Sequence, residues 1–299
     1  MQRLRNLAAA AVLLPAAAVA APDAPVPAEA QWYIHANLLE MRQTSSGQSL
    51  YGWLEREVLE DINDELGVKF VDELDGVTVF GAKKPDHENA AVILHGFLSQ
   101  KTRNELLDRA SEEMNVSTEE EYGRTFHRMG GSWSKSANVD VDFDGGYLAF
   151  GDQGQTMVTS DRDMLDQFLA ADSHFEGAAS NSLLTIQADR ALVHGGVDTV
   201  GVGEGGPWDS QMFQNVERMA LVVADNNGLL DIQVYVTATD PTMAQAISNI
   251  IQGMVSLKVL ADEEPQAAAI LENLVISTEG ADVRMQLMLD PEFVMDVID

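Results

Sequence analysis

Cysteine is absent from the 299 residues. That absence excludes a disulfide framework, thiolate catalysis, cysteine-ligated zinc and a lipid-modified N-terminal cysteine. Basic residues are scarce: 18 Lys and Arg stand against 48 Asp and Glu, a net charge of −30. Such a surface repels nucleic-acid phosphates and anionic lipid headgroups, so neither is an expected partner. It favours cations, basic partners and solubility, and it is tolerable where salt screens its self-repulsion. After the first twenty residues no run is long or apolar enough to span a bilayer, which takes about 20 apolar residues. Nucleophilic signatures are missing too. Gly47-Gln48-Ser49-Leu50-Tyr51 lacks the closing glycine of a nucleophile elbow, and His194-Gly195-Gly196 has no nucleophile to serve. Paired carboxylates for glycoside hydrolysis carry no signal, because 48 acids make chance pairs inevitable.

What is present begins with a targeting segment. Arg3 and Arg5 form a basic start, residues 7–14 an apolar centre, and Ala18-Val19-Ala20 a small-residue cleavage site. Residues 1–20 are therefore expected to be a cleaved signal peptide, and residues 21–30 a proline- and alanine-rich leader. Removing Arg3 and Arg5 takes the net charge from −30 to −32. The mature chain is expected in the periplasm or outside a bacterial cell, without membrane insertion.

The clearest structural signal lies in residues 219–259. Two apolar-rich runs, 219–224 and 229–237, flank Asp225-Asn226-Asn227-Gly228, and Asn-Gly is a strong tight-hairpin signal because both residues tolerate positive φ. Thr239-Asp240-Pro241 then starts a helix, with a capping side chain and proline at its first position. Ile247, Ile250, Ile251, Met254 and Val255 recur on one face of it.

Earlier in the chain, residues 31–38 read as a strand. Leu50, Trp53, Leu54, Val58, Ile62 and Leu66 mark one face of an amphipathic helix ending at Gly67. Residues 76–82 and 89–98 follow as strands. Ser99 caps a helix carrying Leu106, Leu107, Ala110 and Met114, and residues 122–129 return as a strand. This β-α-β-β-α-β order is the ferredoxin-like arrangement. Strands at 138–144, 147–150 and up to 159 come next, then a short helix from Asp161. Residues 172–182 read as a boundary. The second half offers a strand at 190–197, a short helix at 208–216, the hairpin and helix already described, a closing hairpin around Gly280, and a last helical turn or two at 291–298. The expected fold is α+β: two tandem ferredoxin-like units, 31–172 with an extra hairpin and 183–299, each an antiparallel sheet covered by helices.

Three local patterns bear on ligands. Asp140, Asp142 and Asp144 precede Gly145, as at the start of a calcium loop, but position twelve is Gly151 instead of glutamate. The same alternation reads as a half-buried strand with its carboxylates in water. Residues 201–206 match G-x-G-x-x-G, yet Glu204 would face a pyrophosphate and Pro207-Trp208 interrupts the passage to a helix, so the segment reads as a loop. Trp133 sits in a polar loop, GGSWSKS, and is a candidate partner contact.

None of the six histidines has metal-ligand spacing. His35, His95 and His194 fall in strands, where alternation can bring them to one sheet surface.

These readings point to an exported, acidic, non-enzymatic binding or envelope-associated protein. It would hold a protein, peptide or small ligand on a sheet face and on the glycine-rich loops at 130–137 and 195–206. The alternatives are a Ca2+-binding protein using Asp140, Asp142 and Asp144, and a hydrolase with a site assembled from distant residues such as His35 and His194. No cofactor is expected beyond that cation.

Overall fold

The computed structural model describes residues 30–60, 68–81, 90–130, 145–151, 154–170, 182–190, 215–261 and 273–298. Among them run twelve strands: β1 (Trp32–Ala36), β2 (Gly76–Gly81), β3 (Ala90–His95), β4 (Asn115–Glu121), β5 (Arg124–Gly130), β6 (Gly146–Phe150), β7 (Gln155–Thr159), β8 (Ser182–Asp189), β9 (Val216–Asn226), β10 (Leu229–Ala238), β11 (Val275–Glu279) and β12 (Asp282–Leu289). The helices are α1 (Leu38–Gln43), α2 (Ser45–Leu54, continuing in a π-helical turn Glu55–Leu59), α3 (Gln100–Glu113), α4 (Arg162–Ala170), α5 (Pro241–Ala261) and α6 (Pro291–Ile298).

All twelve strands form one sheet, ordered β11-β12-β10-β9-β8-β1-β2-β3-β7-β6-β5-β4, and every neighbouring pair is antiparallel. The antiparallel sheet with covering helices is that of an α+β protein. The expected division into two ferredoxin-like sheets is corrected by the pairing. That arrangement needs helical crossovers that lay strands parallel. Here the connection after β1 returns the chain to β1's own edge, so β1, β2 and β3 run as an antiparallel meander. The other edge of β1 pairs with β8, Trp32 opposite Ala188 and His35 opposite Thr185, which joins the two halves into one surface. Each half does repeat one strand order about that seam. β1-β2-β3-β7-β6 runs outward on one side and β8-β9-β10-β12-β11 on the other, with β4 and β5 added beyond β6.

Local chemistry matches these elements. Asn227 and Gly228 take φ of 54° and 88° at the β9–β10 turn, as an Asn-Gly hairpin requires. The Asp240 carboxylate accepts from the backbone N–H groups of Thr242 (2.8 Å) and Met243 (3.0 Å), capping α5 ahead of Pro241. Ser99 caps α3 by accepting from the Thr102 N–H at 3.2 Å. The strand paired to β1 in the second half lies at Ser182–Asp189, ahead of the expected 190–197, most of which lies outside the described residues. The charged strand β4, NVSTEEE, was not anticipated in the sequence.

Alternation along each strand gives the sheet two faces. The front carries Tyr33 and His35, the back Ile34 and Ala36. On the front of the β1–β7 half, Tyr33, Phe80, Ile93, Phe126 and Met157 pack under Met164, Leu165, Phe168 and Leu169 of α4. The back holds two clusters. One sets Leu38 and Met41 of α1 with Leu98, Leu183, Val223 and Leu230, supported by Leu50 and Leu54 of α2 and Val294 of α6. The other sets Ala244 and Ile247 of α5 against Val216, Val236 and Val283. The front of the β8–β12 half is different in kind: a small apolar cluster of Ala220, Val222 and Tyr235 sits among polar residues such as Gln187, Arg218, Asp231 and Gln233.

Candidate functional site: a polar sheet front with a cavity at one end

Three strands supply the site. Asp189 at the end of β8, Arg218 near the start of β9 and Thr237 near the end of β10 are successive cross-strand partners, and alternation places all three on the front. With Gln31, Arg190 and Glu217 they line a cavity of about 360 Å³. Glu217 reaches it through a backbone irregularity. Thr237 pairs with Arg218 and Ala238 with Val216, so Glu217 is the extra residue of a β-bulge. Without the bulge, strict alternation would turn Glu217 to the back. With it, Val216 is the residue packed on the back and Glu217 stands beside Arg218.

The electrostatics of the cavity are mixed in sign. Arg218 Nε lies 3.7 Å from Asp189 Oδ1, an ion pair too long to be a hydrogen bond, with both side chains about two-fifths exposed. Burial pushes the Asp189 carboxyl above its ordinary range, partly opposed by Arg218. The Thr237 hydroxyl donates to Asp282 Oδ1 at 2.7 Å.

Two residues further along each strand, the next row reads Gln187, Ala220, Tyr235 and Arg284 across β8, β9, β10 and β12. Gln187 Oε1 and Arg284 Nε are both buried and have no hydrogen-bond partner among the described residues. A buried polar atom left unpaired costs roughly 1–3 kcal/mol, so this row holds unused hydrogen-bonding capacity. Deeper still, the buried Asp231 accepts from Gln286 Nε2 (2.8 and 3.0 Å) and Gln233 Nε2 (2.7 Å), and Tyr235 donates to Gln233 Oε1. Arg284 lies over the Tyr235 ring, 5.8 Å from its centroid.

The polar band continues across the seam to the histidines. His35 on β1 and His95 on β3 share the front, flanking Thr78 of β2. Thr78 Oγ1 is 2.8 Å from His35 Nδ1 and 2.7 Å from His95 Nε2, and Gln155 Nε2 approaches His95 Nδ1 at 3.3 Å. With the Gln155 amide donating, His95 carries its proton on Nε2 and gives it to Thr78. Thr78 in turn donates to His35 Nδ1, which leaves the His35 proton on Nε2. Gly76 makes room for the ring: a Cβ there would stand 3.3 Å from His35 Cε1 and 2.9 Å from the Ala36 carbonyl oxygen. Burial lowers the pKa of both histidines to about 4, His35 adding a repulsion on His95. Thr78 beside His35 has the spacing of a nucleophile and its base, but their exposures of 5% and 4% close the pair to substrate.

Sequence alternation allowed His35 and His95 a common sheet face, which they share, but the pairing of His35 with His95 through Thr78 was not read from it. His194, the three aspartates Asp140, Asp142 and Asp144, and Trp133 lie outside the described residues, as do His87 and His174. Among the described residues no three His, Asp or Glu side chains are grouped to hold a metal ion. No described helix is long and apolar enough to cross a membrane. The cavity residues Asp189, Arg218 and Thr237 were missed in the sequence, because nothing in a single strand reports which residues face it from the next.

No protein-family model matches the sequence, and no curated protein matches it. Solved structures do resemble it. Crystal form III of TP0453 aligns with a TM-score of 0.52 at 13% identity, over 94% of this chain and 99% of that chain. Crystal form IV gives 0.49 at 12% identity, over 93% and 97%. The first of these likenesses, spanning nearly the whole of both chains, is one of fold.

Proposed function

We propose that the chain is an exported, non-enzymatic binding protein whose working surface is the front of the sheet over β8, β9 and β10. The observation that carries this reading is the cavity of about 360 Å³ at the Glu217 bulge. Its size falls in the range of about 300–1,000 Å³ typical of small-molecule sites. Its lining of paired acids and bases, and the Gln187 and Arg284 atoms on the adjoining row that have no partner among the described residues, favour a polar ligand over an apolar one. Bulges recur beside binding sites because they re-aim a side chain without disturbing the rest of the ladder. Export rests on the basic start, apolar centre and Ala18-Val19-Ala20 of the leader. Delivery to the periplasm or beyond fits a cysteine-free chain that stabilises itself through its core.

The test is a ligand screen read by backbone amide shifts on the protein recovered from an exporting host. A panel of polar metabolites, saccharides and short peptides is expected to yield hits whose shifts centre on Asp189, Arg218 and Thr237. Hits mapping only to α4 or to the back of the sheet would remove the reading. N-terminal sequencing of the same protein is expected to start at Ala21, and an intact Met1 would refute the leader's role.

A further inference from the structure

The charge pattern of the cavity narrows the ligand class, an inference that rests on the binding reading above. Only 18 of the 299 residues are Lys or Arg, yet two of the six side chains lining the cavity are arginines, and two more are acids. The pairing is not an accident of one strand. Asp189 and Arg218 meet across β8 and β9, and Glu217 is brought alongside by the bulge. The two opposed charges at the centre form a loose ion pair at 3.7 Å, beyond hydrogen-bond distance. A guanidinium offers five N–H donors in a fork that fits a carboxylate, and a carboxylate pair offers the acceptors an ammonium needs.

The field of the whole molecule bears on the choice. At a net charge of −30 a simple anion is repelled before it reaches Arg218, and a simple cation is drawn everywhere on the surface without selection. A molecule carrying both charges a few ångströms apart meets neither problem. The described residues of the lining include no large apolar side chain, which fits a molecule whose remainder is small or polar.

We propose that the cavity binds a small zwitterion of the amino-acid or dipeptide class, its carboxylate on Arg218 and its ammonium on Asp189 and Glu217. The partly buried Asp189 carboxyl, which burial disfavours as an anion, gains a counter-charge when the ammonium arrives.

The experiment is calorimetry on the exported protein with glycine, L-serine, L-glutamine and glycylglycine, each beside its N-acetylated and its C-amidated form, with amide shifts recorded for residues 187–190 and 216–218. At least one zwitterion is expected to bind at millimolar concentration or better. Each blocked form is expected to bind about tenfold more weakly, the loss of one charge-assisted hydrogen bond. Asp189→Asn is expected to weaken the parent ligand while removing the penalty for N-acetylation, and Arg218→Gln to do the same for amidation. These paired losses are readouts that a merely destabilised fold would not give. The inference is overturned if no zwitterion binds at millimolar concentration, or if blocked forms bind as well as their parents. A saccharide or other uncharged probe that shifts the same amides would sink the zwitterion and leave the binding surface standing. Zwitterion binding that maps elsewhere would sink both.

Discussion

His35 and His95 lie buried on either side of Thr78, and that burial gives the fold an acid titration of its own. Both rings are neutral at neutral pH, with pKa lowered to about 4 by burial. The unfolded chain takes up protons as pH falls past the ordinary histidine value of about 6.5, and the folded chain does not until about 4. The unfolding free energy is therefore flat above pH 6.5 and declines as pH falls from 6.5 to 4, by up to roughly 3 kcal/mol for one ring. Urea midpoints measured from pH 7.5 to 4.5 are expected to show that slope, and His95→Gln to flatten it. An undiminished slope in the variant would assign the effect to other groups. A second residue-scale expectation concerns Gly47, where α1 meets α2. A Cβ there would stand 2.3 Å from Thr44 Oγ1 and 2.7 Å from the Met41 Cα. Because the opposing atoms include backbone, Gly47→Ala is expected to lower stability by about 1–3 kcal/mol in the same urea assay.

The β9–β10 hairpin shows how an element is tied to its neighbours. Asp225 at its turn accepts from Ser46 Oγ at 2.5 Å and from the Ser46 N–H at 3.2 Å, pinning the start of α2 across the sheet end. The Ser46 hydroxyl, with backbone N–H groups assisting, holds the Asp225 carboxyl below its usual value. Ser46→Ala is expected to bring its titration upward toward the ordinary carboxylate range, as followed by carbonyl NMR, and an unmoved titration would show that the turn's own amides suffice.

This hairpin, α5 and the caps at Ser99 and Asp240 were legible in the sequence because each depends on residues a few positions apart. Strand β4 was not, since NVSTEEE has neither the apolar alternation nor the β-branched content of a half-buried strand. It is held by the β5 ladder and by Glu121, which pairs with Arg162 of α4. The cavity was illegible for a related reason. Asp189, Glu217 and Thr237 come together only through strand register and one bulge, and a bulge inverts the facing that alternation predicts. His35 and His95 were readable as far as their common face, whereas Thr78, which joins them, carried no signal of its own.

Across the whole molecule, the β1–β8 seam makes twelve strands one hydrogen-bonded body. Calorimetry is expected to record a single cooperative transition, and two resolved transitions would mean the halves melt apart. With the charge at −30, added NaCl is expected to raise the melting temperature by screening self-repulsion, because the Debye length shrinks from about 10 Å at 0.1 M to about 3 Å at 1 M.

Among the described residues the sheet does not close on itself and ends in two rims, and the rims are unlike. Strand β4 presents Glu119 and Glu120 beside Glu121, which is paired with Arg162, so two molecules approaching along that rim repel one another through the first two. Strand β11 presents a single carboxylate, Glu279, and leaves Val275 60% exposed. Self-association by strand addition is thereby directed to the β11 side, and one added negative charge at Val275 is the smallest change that would guard it.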